Sequence, residues 1–183
     1  MKRSRTLTLA LMSATALTLA ACDNPEEVGI FETVEQCATQ EGFNIEACEA
    51  NMKQAQVEHV RVAPKYTSAA DCEADFGAEQ CETAPQKTSS GGSVFMPLMM
   101  GYMMGNMMSG RSGAATQPLY RSKDDSKNFR TGDNQKVSGK TGVSKVPGQV
   151  ARAPSTKTST IKRGGFGSSA RASSSGIRRS FGG

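Results

Sequence analysis

Tryptophan is absent from this chain, histidine occurs once, and aromatic residues make up 5% of its 183 positions. So few large rings leave little material for a wide hydrophobic core. One histidine, His59, supplies no zinc site built on several imidazoles, and no Ser/His/Asp set is recognisable around it in the sequence. No C-x-x-C pair occurs, which removes the thioredoxin-like redox motif, and there is no P-loop and no glycine-rich dinucleotide fingerprint. The N-terminal apolar run from Leu7 to Ala21 covers 15 residues. That is short of the ~20 a membrane-spanning helix needs. An enzyme is therefore not expected.

That run follows a basic start (Lys2, Arg3, Arg5) and ends in Leu19-Ala20-Ala21-Cys22. A charged n-region, a short apolar h-region and small residues before a cleavage point make a secretory signal peptide. A cysteine at the cleavage point makes it a bacterial lipoprotein signal. Residues 1–21 are expected to be removed and Cys22 to become a lipidated N-terminus. Several acyl chains, at ~0.8 kcal/mol per buried CH₂, anchor a chain firmly in a bilayer. The expected location is the cell envelope, facing the periplasm. Asp23 beside the lipidated cysteine favours the inner over the outer membrane.

Charge divides the remainder into three segments. Between Asp23 and Ser90 there are 14 acidic against 4 basic residues, a net of −10. Between Arg111 and Gly183 there are 15 basic against 3 acidic, a net of +12. An uncharged, methionine-rich block lies between them. The expected segments are thus a signal peptide (1–21), an acidic module (22–90), a Met/Gly block (91–110) and a basic tail (111–183).

With Cys22 set aside, Cys37, Cys48, Cys72 and Cys81 remain, an even number that in an exported chain reads as two disulfides. A weak repeat with a 35-residue offset superposes Phe31 on Tyr66, Thr33 on Ser68, Cys37 on Cys72 and Gly42 on Gly77. It favours Cys37–Cys48 and Cys72–Cys81 among the three possible connectivities. Thr33-x-x-Gln36 and Ser68-x-x-Asp71 fit helix starts. A longer helix is expected from Ile45 to His59 with Asn44 as its cap and His59 on its surface, and Pro64 bars continuation.

In the central block, Met96, Met99, Met100, Met103, Met104, Met107 and Met108 fall at helical spacing, with Gly101, Gly105 and Ser109 as a small-residue ridge. The block is expected to be an apolar helix that packs within the protein, meets a protein partner or another copy, or lies against a membrane. A second reading makes the thioether stripe a soft-metal site for Cu(I). No resident cofactor or metal is expected on the first reading. The basic tail, rich in Ser, Gly and Thr, reads as disordered. Its expected partners are anionic lipid, lipopolysaccharide phosphates or the acidic module, and not nucleic acid.

Ser93-Val-Phe-Met-Pro-Leu-Met-Met-Gly-Tyr-Met-Met-Gly105, with Gln117-Pro-Leu-Tyr120 and Arg163-Gly-Gly-Phe-Gly167, resembles the YgiB-like family of bacterial proteins of unknown function. Ala63-Pro-Lys-Tyr66 and Ala69-Ala-Asp-Cys-Glu-Ala-Asp-Phe-Gly77 agree with it. The resemblance spans nearly all of the chain after Cys22. It implies a cell-envelope protein, often encoded beside an ATP-grasp enzyme similar to glutathionylspermidine synthases, and supplies no catalytic residues. The fold expected from all this is a small α-helical, disulfide-stapled module plus one Met/Gly-rich helix, with the remainder largely disordered. The expected function is a non-enzymatic periplasmic lipoprotein with an interaction or structural role in the envelope.

Overall fold

The chain is described by a computed structural model that covers residues 24–105, 115–168 and 170. Cys22, the signal segment, Met107 and Met108 lie outside the described residues.

Local signals set the helices. Thr33 accepts from the Gln36 amide (3.2 Å) to open α1 (Val34–Ala38). Asn44 accepts from the Ala47 amide (2.7 Å) to open α2 (Ile45–Val62), and Ser68 accepts from the Asp71 amide (3.1 Å) to open α3 (Ala69–Phe76). Each cap satisfies an amide that the first helical turn leaves without a partner. Pro64 follows α2 closely, and Gly77 ends α3 with φ +108°, a conformation that favours glycine.

The rest of the architecture is β, which overturns the expected helical fold. Five antiparallel strands form one sheet in the order β6 (Asp125–Arg130), β5 (Gln117–Ser122), β4 (Gly101–Gly105), β1 (Glu26–Phe31), β7 (Gly142–Val146). A second, two-stranded sheet pairs β2 (Cys81–Lys87) with β3 (Ser93–Pro97). A short helix, α4 (Gly148–Ala151), follows β7.

The expected Met/Gly helix does not form. Its described residues, up to 105, make β3 and β4, with Leu98, Met99 and Met100 between them. All five residues of β4 are buried, because the strand is sandwiched laterally by β1 and β5 and covered on both faces. A doubly covered strand reads as a continuous apolar run, and such runs resemble buried helices in periodicity. Gly101 carries the decisive contact: a Cβ there would meet the Phe31 carbonyl oxygen at 2.7 Å.

The tail is not largely disordered either. Residues 115–168 contribute β5, β6, β7 and α4, and their apolar residues enter the core singly rather than in periodic runs. One cluster joins Val28, Ile30, Met103, Leu119, Phe129, Val146 and Val150. A second joins Phe31, Phe43, Ala55, Tyr102 and Met104 around the Cys37–Cys48 disulfide. The third packs Tyr66, Phe76, Met96, Tyr120 and Phe166 beside Cys72. The main sheet therefore draws strands from the acidic, methionine-rich and basic segments alike. Arg121 pairs with Glu32 at 3.0 Å between two of them.

Candidate functional site

Two disulfides fix the frame. Cys37–Cys48 ties α1 to α2 with Cα atoms 5.9 Å apart, and Cys72–Cys81 ties α3 to β2 at 6.3 Å. These are the pairs the repeat favours.

The described methionines are divided among the cores. Met96 packs in the third cluster, Met103 in the first and Met104 in the second, while Met100 and Met99 lie partly buried against the first and second. Successive strand residues point to opposite faces, so the doublet Met103-Met104 is split across the sheet. Met104 Sδ lies 3.8 Å from the sulfur of Cys37, which is held in its disulfide. Gly105 closes β4 opposite Val28. These side chains fill the interior, and nothing in their placement converges on a thioether metal site.

His59 is 7% exposed, not on the helix surface where its position in a polar stretch put it. Its Nε2 lies 3.0 Å from a Glu82 carboxylate oxygen and its Nδ1 2.9 Å from the Tyr120 hydroxyl. Burial holds the imidazole below its ordinary 6.5, against the opposing pull of Glu82. A neutral ring then donates from Nε2 to the carboxylate and accepts the Tyr120 O–H at Nδ1, the one tautomer that satisfies all three groups. Burial also drives the Tyr120 phenol well above its usual range. A phenol that stays protonated inside a core is a hydrogen-bond donor, not a nucleophile.

A second internal site surrounds Asp75. Its carboxylate accepts from the Tyr66 hydroxyl (2.9 Å) and from the amides of Gly164 (2.5 Å) and Gly165 (3.2 Å). Phe166 follows directly and stacks on Phe76 with ring centroids 4.8 Å apart. Asn134 then exchanges two hydrogen bonds with the backbone of Gly167, at 2.9 and 3.0 Å. Arg163-Gly-Gly-Phe-Gly167 is thus a clip that fastens the late chain to α3. Its glycines permit the close approach: Gly164 and Gly167 both take φ +76°, and a Cβ on Gly167 would meet Ser122 Oγ at 2.7 Å.

Among the described residues, an open groove of about 530 Å³ lies between the C-terminal turn of α2, the β2–β3 hairpin and the strap of residues 156–160. The strap is held by backbone bonds from Lys157 N to Arg61 O (3.0 Å) and from Ile161 N to Lys65 O (2.7 Å). Arg61, Lys65, Lys87 and Lys157 line it, and no carboxylate does. Val57, Val60 and Val94 form an apolar wall, and Thr88, Thr156 and Thr160 add hydroxyls.

The cations are not equally engaged. Arg61 pairs with Glu58 and donates to Thr156 Oγ1, and Lys157 pairs with Asp133 at 2.5 Å. Lys65 is 5% exposed, and its ammonium donates to the carbonyls of Val60 (3.0 Å), Arg61 (3.4 Å) and Ala63 (3.5 Å) at the end of α2. That location suits a cation, since a helix C-terminus carries partial negative charge. Burial and the neighbouring Lys157 push the Lys65 amine below its usual pKa. Neither Lys65 nor Lys87 has a carboxylate partner among the described residues.

The sequence offered no signal for this groove, because its lining comes from three stretches far apart in the chain. Glu82 likewise had nothing to mark it, and Asp75 and Tyr120 stood only inside the motifs that carry the family resemblance, with no role assigned.

Residues 25–176 match the family model described as a protein of unknown function, DUF1190. A UPF0441 protein of Erwinia tasmaniensis is similar, at 36% identity over 178 residues covering 88% of this chain and 79% of that one. A UPF0441 protein of Serratia proteamaculans (strain 568) is 35% identical over 203 residues, covering 98% and 91%. No solved structure matches the chain.

Proposed function

The chain belongs to the DUF1190 family of proteins of unknown function, and we propose that it is a non-enzymatic, lipid-anchored binding module of the bacterial envelope, facing the periplasm. The observation that carries this reading is the pair of intramolecular disulfides. Such bonds persist in oxidising compartments and are rare where thiols are kept reduced. They accord with the Leu19-Ala-Ala-Cys22 signal, which supplies the export route and the anchor.

Residues 23–25 alone separate Cys22 from the first residue of β1. Three extended residues reach about 10 Å, so a lipid on Cys22 would hold the sheet close to a membrane surface. A binding role also fits what the buried polar groups do. His59, Glu82, Tyr120, Asp75 and Tyr66 satisfy one another and the backbone, whereas the cationic groove is open to solvent. Inner-membrane retention through Asp23 belongs to the same proposal.

Mass spectrometry of the mature N-terminus, with cell fractionation, tests it. The expected result is a lipidated Cys22 in the membrane fraction, converted to an unprocessed precursor by Cys22→Ser. A reduced, unlipidated chain in the cytosol would overturn the reading.

A further inference from the structure

We propose that the groove between α2, the β2–β3 hairpin and the 156–160 strap is a binding site for the headgroup and glycerol stem of an anionic phospholipid. The inference rests on the envelope reading above for the source of the lipid, but its geometry stands separately.

Charge complementarity points to an anion. Four cationic side chains, Arg61, Lys65, Lys87 and Lys157, line one concavity that contains no carboxylate. Glu58 and Asp133 offset Arg61 and Lys157 from outside the lining, whereas Lys65 and Lys87 have no carboxylate partner among the described residues. Lys65 is the unusual member: a residue 5% exposed whose ammonium donates to backbone carbonyls at the end of α2 and feels the charge of Lys157. The carbonyl dipoles at the end of α2 supply only part of a counter-charge for this ammonium, and an incoming phosphate would supply a full one. The threonine hydroxyls at 88, 156 and 160 supply neutral donors of the kind phosphate oxygens accept.

The apolar wall distinguishes a lipid from a bare phosphate. Val57 is 72% exposed although it sits on the helix that covers the main sheet; Val60 is half-buried in the same lining, and Val94 lies behind it in the core. An exposed valine in the same lining as four cationic side chains matches a ligand that is anionic at one end and apolar at the other. The groove, about 530 Å³, exceeds what a lone phosphate fills and falls within the size of pockets that bury small organic ligands.

The test uses the full oxidised chain held in phosphatidylcholine nanodiscs and titrated calorimetrically with water-soluble dibutyryl-phosphatidylglycerol, dibutyryl-phosphatidylcholine and inorganic phosphate. Saturable binding of the phosphatidylglycerol, well above the other two, is expected. Lys65→Met removes the cap of α2 and is liable to unfold, so two exposed positions carry the test. Lys87→Gln should weaken the phosphatidylglycerol and phosphate alike, the former by about tenfold for the loss of one charge-assisted bond. Val57→Ser should weaken the lipid and leave phosphate unchanged.

Phosphate binding as tight as the lipid, or indifference to Val57→Ser, would overturn the lipid assignment. Equal uptake of the phosphatidylcholine, or no saturable binding at all, would overturn the site. None of these results touches the lipidation of Cys22, so the two readings fail separately.

Discussion

His59 makes stability depend on pH. Its imidazole is held below 6.5 by burial, so as the pH falls the unfolded chain takes up a proton that the folded chain refuses. Stability is therefore complete above about pH 6.5 and declines below it until the folded ring titrates too. Glu82 opposes this shift and Lys65 reinforces it. Denaturation midpoints measured at about pH 7.5 and about pH 5.5 should differ more in the wild type than in His59→Gln. Equal differences would remove the histidine from the account. Phe166 is a second residue with a strong expectation, since it fills the space between Phe76 and Tyr120. Phe166→Ala should cost about 3–5 kcal/mol in denaturant unfolding, an effect no disordered tail would show. Neither residue was legible: His59 sits in a mostly polar stretch of α2, and Phe166 stands alone among glycines and basic residues. Their burial comes from partners about 60 and 90 positions away in the chain.

At the scale of single elements, β4 offers a test whose sign separates two structures. In a helix, Gly101→Ala would stabilise by about 1 kcal/mol. In β4, the new methyl group meets the Phe31 carbonyl oxygen at 2.7 Å, so the same change should destabilise by about 1–3 kcal/mol. Thermal unfolding of this one variant reads the difference. The helices behave otherwise, because their signals are local. Asn44, Thr33 and Ser68 each bond an amide three residues on, and such caps can be seen in the chain before any tertiary contact is known. Asn44→Ala should cost about 1 kcal/mol, measured in the same way. Strand β4 had no equivalent mark. The methionines sit at spacings that fit a helical stripe, and only its neighbours on both sides and both faces select the extended form.

For the whole molecule, the two disulfides compensate for a core divided into three small clusters. Closing loops this short contributes about 2.5–3 kcal/mol each in the chain-entropy picture. Reduction should lower the denaturation midpoint in two steps that Cys37→Ala/Cys48→Ala and Cys72→Ala/Cys81→Ala resolve individually. A midpoint insensitive to reductant would show that the sheet carries the stability alone. The sequence by itself determined the features that act over a few residues: the helix starts, the glycine stop after α3 and the segregation of charge, and it favoured the cysteine pairing that the structure has. Tertiary structure alone decided that the methionine block is a central strand and that the basic segment completes the sheet. It also gathered Lys65, Lys87 and Lys157 around one groove. The physical reason is range. A cap or a short disulfide loop is stabilised by neighbours in the chain, whereas a strand is stabilised by hydrogen bonds and burial supplied from distant segments.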